Sequence, residues 1–280
     1  AQTILEDREG KIVIVGNVDT GKSTFCTILA NLALEAGIDT TVLDLDLGQS
    51  DIGPPSSIGL GRIKNHVLSL SEVTPDFLYF VGCISPASVT EKVLEGISRL
   101  LTKRKKSEVL VGNTDGWILG EQAIIFKSKL INAIEPDFVV GIGRESDVRP
   151  ILEMTRCTSF QIDSPSLVLR RTREQRKELR ELGYKKYLKD GKVVTIDPRR
   201  VQLADSHGKT IQYADVDSSL VNSLLGLIDD DGWLLGIGVL VQIVPSGNLK
   251  VFTPVADRFS RVEIGAVRLN EQGSELLCLE

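Results

Sequence analysis

The sequence predicts an α/β fold: a mostly parallel sheet flanked by helices, followed by a small β-rich C-terminal domain. Three observations predict it. Short strand-like runs alternate with stretches of helical spacing over the first two thirds of the chain, the pattern that builds a parallel sheet covered on both faces. Those runs are near-continuous in apolar residues, as doubly covered strands are. After Gly191 the helical spacing stops, and short strand-like segments separated by turns such as PSGN and NEQG take over.

The elements follow in order. KIVIVG (11–16) reads as a buried strand ending in glycine. Lys22 to Ala36 has helical spacing of Phe25, Leu29, Leu32 and Ala36, with Gly37 as a stop. TTVLDLDL is the second strand. Further strands are expected at 76–82, 107–113, 137–143 and 158–163, with helices at Ala87–Lys105, Glu121–Ile134 and Val148–Arg156. Thr172 to Leu188 is a strongly charged helix candidate. KVVTID, VQLAD, TIQYAD, WLLGIGVLVQIV, LKVFTPV and RVEIGAVRL read as the later strands. The division expected is 1–195, with an Arg-rich lid helix near 170–190, and 196–280.

Composition narrows the class. The 280 residues carry 42% hydrophobic and 25% charged residues, ordinary for a globular protein. No apolar run is long enough for a membrane span. The opening AQTILEDREG is neither a signal peptide nor a basic transit peptide, and the missing initiator Met fits a trimmed chain. Cys26, Cys83, Cys157 and Cys278 are scattered, and His66 and His207 stand alone. This excludes a zinc motif and fits reduced thiols in a cytoplasmic or nuclear protein. Net charge is −5, against a nonspecific nucleic-acid coat. Yet residues 170–200 hold twelve Lys/Arg against five Asp/Glu, so the remainder is strongly acidic.

GNVDTGKST fits the pattern G-x-x-x-x-G-K-[ST]. It comprises Gly16, Asn17, Val18, Asp19, Thr20, Gly21, Lys22, Ser23 and Thr24, after an expected strand and before an expected helix. Such a P-loop turns backbone N–H groups toward phosphate oxygens at the positive end of a helix. It implies a nucleoside triphosphate, ATP or GTP, with Mg²⁺. Lys22 is expected at the β- and γ-phosphates and Ser23 on the metal. In LDLDLGQ, Asp44 and Asp46 alternate at the end of the second strand, on opposite faces, beside the ligand crevice of an open sheet. One carboxylate suits the Mg²⁺ water shell and the other suits an attacking hydroxyl's proton. The alternative is that one merely caps the loop.

Several motifs in order, GNVDTGKST, DLDLGQSDIGPP, FVGCISP, NTDGW and RRTREQR, make the sequence resemble the polynucleotide 5′-hydroxyl kinase family over roughly residues 10–280. That family includes the RNA kinase subunit of the messenger-RNA 3′-end cleavage factor, the ribosomal-RNA-processing kinase and compact archaeal kinases. The resemblance implies a P-loop NTPase that moves the γ-phosphate of ATP or GTP to the 5′-hydroxyl end of RNA or DNA, with RNA-processing proteins as partners. It implies Lys22, Asp46, Arg171 and Arg176 as catalytic residues, with Asp46 the base and the arginines closing over the triphosphate. It implies Gln49 at the metal or the substrate, Ser85 in a clamp element, and Trp117 as a clamp on the terminal nucleotides. Asp44 and Ser23 complete the expected metal set. Alternatives are a silent nucleotide-bound scaffold and a regulatory P-loop NTPase.

Elementary geometry qualifies these roles. Trp117, in a turn after a strand, reads either as a stacking platform at the crevice mouth or as a core tryptophan. Arg171 and Arg176 are five apart, so on one helix they diverge by ~140°. They meet only if Arg171 precedes the first turn. Glu174, Glu178 and Glu181 interleave with the cations, so a merely solvated basic helix is the competing reading. The clamp segment Gly82-Cys83-Ile84-Ser85-Pro86 departs from the family's G-x-T-[ST]-P, with Ile84 where a hydroxyl often stands. Many relatives also carry an N-terminal β domain, whereas about ten residues precede the first strand here. Arg62, Lys64 and His66 form a basic trio that reads either as a phosphate contact or as surface.

Overall fold

The computed structural model describes residues 9–105 and 108–278, so residues 1–8 of the polar N-terminus lie outside the described residues. The first sheet is built by β1 (Gly10–Gly16), β2 (Thr40–Leu45), β3 (Ser57–Arg62), β4 (Phe77–Phe80), β5 (Val109–Thr114), β6 (Phe138–Ile142) and β7 (Thr158–Ile162). Their order is β4-β3-β2-β5-β1-β6-β7. Neighbours run parallel from β2 to β7, while β3 is antiparallel to both β2 and β4. The chain leaves β1 to one side for β2 and later fills the other side with β6. The crevice at the C-terminal end of β1 is therefore the topological switch point.

Alternation along β1 explains the layers. Ile12 and Ile14 face α1 (Lys22–Glu35), whose Cys26, Leu29, Ala30 and Ala33 are fully buried against them. Val13 and Val15 face the opposite layer, formed by α2 (Thr90–Leu101), α3 (Glu121–Ile134) and α4 (Glu145–Leu152). The expected helices at 87–105 and 148–156 are thus shorter or begin earlier than their spacing suggested. β3 was not among the expected strands, and Gly59 and Gly61 lie within it. Both glycines are required there: a Cβ on Gly59 would lie 2.1 Å from the Ile52 carbonyl oxygen.

After α5 (Arg173–Leu188), a second sheet runs β14-β13-β10-β11-β12-β8. Its strands are β8 (Lys192–Ile196), β10 (Ser223–Ile228), β11 (Leu234–Ile243), β12 (Leu249–Thr253), β13 (Arg261–Leu269) and β14 (Glu275–Cys278), and β9 (Gln202–Ala204) pairs β13 in parallel. TIQYAD is not a strand: Tyr213–Asp215 forms a short 3-10 turn. SLLGLI and the last strand were not foreseen. A short unbroken apolar run carries no period of its own.

The two sheets share one core. Leu78 and Phe80 of β4 pack with Tyr184 and Leu188 of α5 and with Leu224, Ile228, Ile237, Val239 and Val267 of the second sheet. Lys92 of α2 meets Glu263 of β13 in a buried ion pair at 2.7 Å. The Gly82 carbonyl accepts the Ala266 N–H at 2.8 Å.

α5 starts at a capping box: the Thr172 side chain accepts from Gln175 N–H, and Gln175 reaches back. Its later turns are anchored. Tyr184 is fully buried, with its hydroxyl 2.8 Å from Ser56 Oγ. Arg180 forks onto Glu275 of β14 at 2.6 and 2.9 Å, and Gly183 lies against Pro55. Because Tyr184 fills the joint between sheets, Tyr184→Ala is expected to cost about 3–5 kcal/mol. Leu167→Ala, at an exposed position, should stay within about 0.5 kcal/mol. Denaturant unfolding monitored by far-UV circular dichroism checks both.

Candidate nucleotide and acceptor site

The loop Gly16–Thr24 joins β1 to α1 at the switch point. Gly16 must be glycine: a Cβ there would sit 2.3 Å from the Ile142 carbonyl oxygen. Gly21 opens α1 at φ 96°, a left-handed conformation that favours glycine. Asp19 also has positive φ (52°), which aspartate tolerates. The first turn of α1 carries no acidic residue, so its positive dipole end is left for an anion. The Asn17 carbonyl accepts from Thr20 Oγ1 at 3.0 Å and from Lys22 Nζ at 2.8 Å. Burial lowers the Lys22 pKa, and the neighbouring Asp46 opposes that shift. Ser23 Oγ accepts from Asn113 Nδ2 at 3.3 Å.

Asp44 and Asp46 do different work. Asp44 is completely buried. Its Oδ2 accepts from the N–H groups of Asp51 (2.7 Å) and Ile52 (2.9 Å) and from the Ser50 hydroxyl (3.3 Å). Its Oδ1 accepts from Asn113 Nδ2 (3.0 Å) and the Asp46 N–H (3.4 Å). Burial, followed by the neighbouring Asp51, pushes its pKa up to about 7. Expected as a metal ligand, Asp44 instead lies behind the cavity wall, its oxygens committed to holding the 46–52 loop. Asp46 is on the cavity wall. Its Oδ1 accepts from Gly48 and Gln49 N–H at 3.1 and 2.9 Å. Burial raises its pKa and the Lys22 charge pulls it back.

The segment before α5 lies over the P-loop. Ser164 Oγ donates to the Thr20 carbonyl at 3.0 Å. Arg171 precedes the N-cap Thr172, and so the two lid arginines do converge. Arg171 holds Asp19 through Nη2–Oδ1 at 2.6 Å and through its own backbone N–H at 2.9 Å. Arg176 reaches Asp19 Oδ2 at 3.5 Å and the Arg171 carbonyl at 2.6 Å. Gln49 Nε2 donates to the Arg176 carbonyl at 3.0 Å, which ties the loop after β2 to the lid.

These parts enclose one cavity of about 1090 Å³. Of the expected residues, Val18, Asp19, Thr20, Gly21, Lys22, Ser23, Thr24, Asp46, Gln49, Arg171 and Arg176 line it. Gly16, Asn17, Asp44, Trp117 and Ser85 do not. Trp117 is half-buried and stacks on Phe126 at 5.8 Å, with its N–H backbone held by Asp115, which itself pairs with buried Lys127. The half-buried Ser85 hydroxyl accepts from the Ala87 N–H at 3.4 Å. Of the basic trio, Arg62 is engaged by Asp76 and Glu108 and exposed His66 lies 3.6 Å from Glu35.

Two residues escaped the sequence reading. Asp51 lines the cavity, where burial raises its pKa and the nearby Ser23 side chain works against that rise. Its signal was its place two residues beyond Gln49. Asn113 links Ser23 to Asp44, and its signal was the first letter of NTDGW.

The arginine–Asp19 contacts fasten the segment before α5 and its first turn to the P-loop. In Asp19→Ala, the amides of residues 165–176 should exchange hydrogen faster than in the parent, while those of β1 and β5 stay unchanged. Hydrogen–deuterium exchange with mass spectrometry reads this, and equal exchange would deny the latch.

Comparison with known proteins places the chain in a family. Over 321 aligned residues the chain is 29% identical to a polyribonucleotide 5′-hydroxyl-kinase of Pyrococcus horikoshii, covering 96% of this chain and 88% of that one. It is 26% identical to a protein of the same name from Methanocaldococcus jannaschii, covering 96% and 90%. The solved structure of wild-type Clp1p with Pcf11p superposes with a TM-score of 0.75 at 15% identity, over 95% of this chain and 76% of that one, a likeness of fold. A family model described as the mRNA cleavage and polyadenylation factor CLP1 P-loop matches residues 16–190, and the chain belongs to that family.

Proposed function

We propose that this chain is an RNA 5′-hydroxyl kinase, transferring the γ-phosphoryl group of ATP or GTP to the 5′-hydroxyl end of an RNA strand. The observation that carries it is one cavity walled by Lys22, Ser23, Asp46, Gln49, Arg171 and Arg176. The names of the archaeal relatives support the same activity, and they favour RNA over DNA as acceptor.

The residues divide the reaction between them. The P-loop and Lys22 cradle the triphosphate. Magnesium suits the hard oxygen donors present, and Ser23, with Asp51 and Gln49, would hold it. When bound, the ion neutralises charge on the transferring phosphoryl group. Asp46 takes the proton of the 5′-hydroxyl as its oxygen attacks in line. Arg171 and Arg176 leave Asp19 for the phosphoryl oxygens, whose planar charge their forks match. Trp117 and Ser85 receive the acceptor strand in this reading, each after a side-chain adjustment. RNA-processing proteins are the proposed partners, since a structure of the same fold was solved with Pcf11p. Among the described residues no helix is long and apolar enough to cross a membrane.

A 5′-hydroxyl oligoribonucleotide, γ-labelled ATP or GTP and Mg²⁺ should yield a 5′-labelled product, with the matching DNA strand as competitor. Tight nucleotide binding without label transfer would favour the scaffold reading. Lys22→Ala should lower kcat at least about 10²–10³-fold, and Asp46→Asn about 10²–10⁴-fold.

The pH profile gives a separate check. A base must be ionised to work, so activity rises with pH through the Asp46 pKa. Burial raises that pKa, so the acid limb of kcat/KM should fall above the ordinary aspartate value of about 3.9. The limb should vanish in Asp46→Asn.

A further inference from the structure

A second cavity, of about 390 Å³, lies between the segment after β4 and the second sheet. Cys83 and Ser88 form one wall, Gly265, Ala266 and Arg268 of β13 another, and the turn Asp205–His207 the rim. Arg268 is half-buried, and its Nη1 donates to the Leu220 carbonyl at 3.1 Å. No carboxylate pairs with it among the described residues. Removal from water lowers its pKa, so the site holds a cation at some cost. The nearest acid on the rim, Asp205, is engaged in its own turn, where Oδ1 accepts the N–H groups of His207 and Lys209 at 2.9 Å each. Buried Cys83 has its pKa pushed up by desolvation and stays a neutral thiol. An uncompensated guanidinium in a concave, partly dry site is a receptor for an anion.

The placement says which anion. The segment that carries Cys83 and Ser88 on the wall of this cavity runs past Gly48, a residue lining the first one. On that side, a Cβ on Gly48 would lie 3.1 Å from the Ile84 carbonyl oxygen. On the other, a Cβ on Gly82 would lie 3.0 Å from Gly265 Cα. Five residues, Gly82 to Pro86, therefore separate Asp46's loop from the second sheet. In the kinase reading, an acceptor whose 5′ end reaches Asp46 beside this segment has the second cavity on the segment's far side.

Resting on the kinase reading above, we propose that the cavity around Arg268 binds a backbone phosphodiester of the acceptor RNA downstream of its 5′ end. The second sheet then takes part in acceptor binding, through one phosphate, without reading sequence.

The test compares the parent chain, Arg268→Ala and Arg268→Lys. Binding of a 3′-fluorescein 5′-hydroxyl oligoribonucleotide of ten nucleotides is followed by anisotropy across a salt series, with no triphosphate present. Arg268→Ala should weaken binding about tenfold and reduce the salt slope by about one. Arg268→Lys should keep the slope. In the transfer assay, Arg268→Ala should raise KM for the ten-mer while leaving KM for ATP, and KM for a nucleoside 3′-monophosphate acceptor, unchanged. Thermal melting confirms that each variant is folded, and if Arg268→Ala is not, the comparison of Arg268→Lys with Arg268→Gln decides. Unchanged ten-mer affinity and slope would overturn the proposal. So would an equal loss for the mononucleotide acceptor, or an effect on inorganic phosphate binding alone. Because anisotropy needs no turnover, a parent that binds RNA without transferring phosphate refutes the kinase reading and leaves the cavity's role to the Arg268→Ala comparison.

Discussion

One buried carboxylate organises the site. Asp44 collects three backbone N–H groups, from Asp46, Asp51 and Ile52, together with the Asn113 amide and the Ser50 hydroxyl. Through Asn113 it also fixes Ser23 of the P-loop. A carboxylate in dry surroundings is tolerated when donors surround it. The result is that the strand end, the loop carrying Asp46 and Gln49, and the first turn of α1 are held in one arrangement. Asp46 can then be aimed at the cavity by backbone geometry alone, since Gly48 and Gln49 N–H groups hold its Oδ1.

Helix α5 is held differently, fixed at one end. Its later turns are held by Tyr184, Arg180 and the packing of Gly183 on Pro55. Its leading end rests on the P-loop through ion pairs from the partly exposed Arg171 and Arg176 to the buried Asp19 carboxylate. Strong burial at one end and replaceable charge pairs at the other give an element that can exchange its Asp19 contacts for phosphate oxygens without unfolding. Local stability of this graded kind is what gating segments need.

Much of this was legible in the sequence, for physical reasons. The P-loop and the parallel strands announce themselves because glycine positions and apolar runs have few other uses at that spacing. The convergence of Arg171 and Arg176 followed from the condition that Arg171 precede the helix, and the capping box at Thr172 meets it. What stayed hidden depends on contacts distant in the chain. β3 was not foreseen, because the backbone that demands Gly59 belongs to Ile52. Asp44 and Asp46 look equivalent in LDLDLGQ, and only the donors gathered by Asp44 separate a loop holder from a cavity-facing acid. Trp117 stacks on Phe126 of α3, a partner no local pattern names.

The Arg180–Glu275 fork has a consequence for how such chains diversify. β14 supplies the carboxylate that steadies the lid helix, and Tyr184 sits in a core that both sheets own. The second sheet is therefore not a cassette that recombination can exchange at leisure. A graft of a foreign C-terminal half would have to reproduce an acid at position 275 and a pocket for the tyrosine ring, or inherit a closing element with nothing to lean on. Variation should accumulate as paired changes across that seam, with the loops that line the first cavity left untouched.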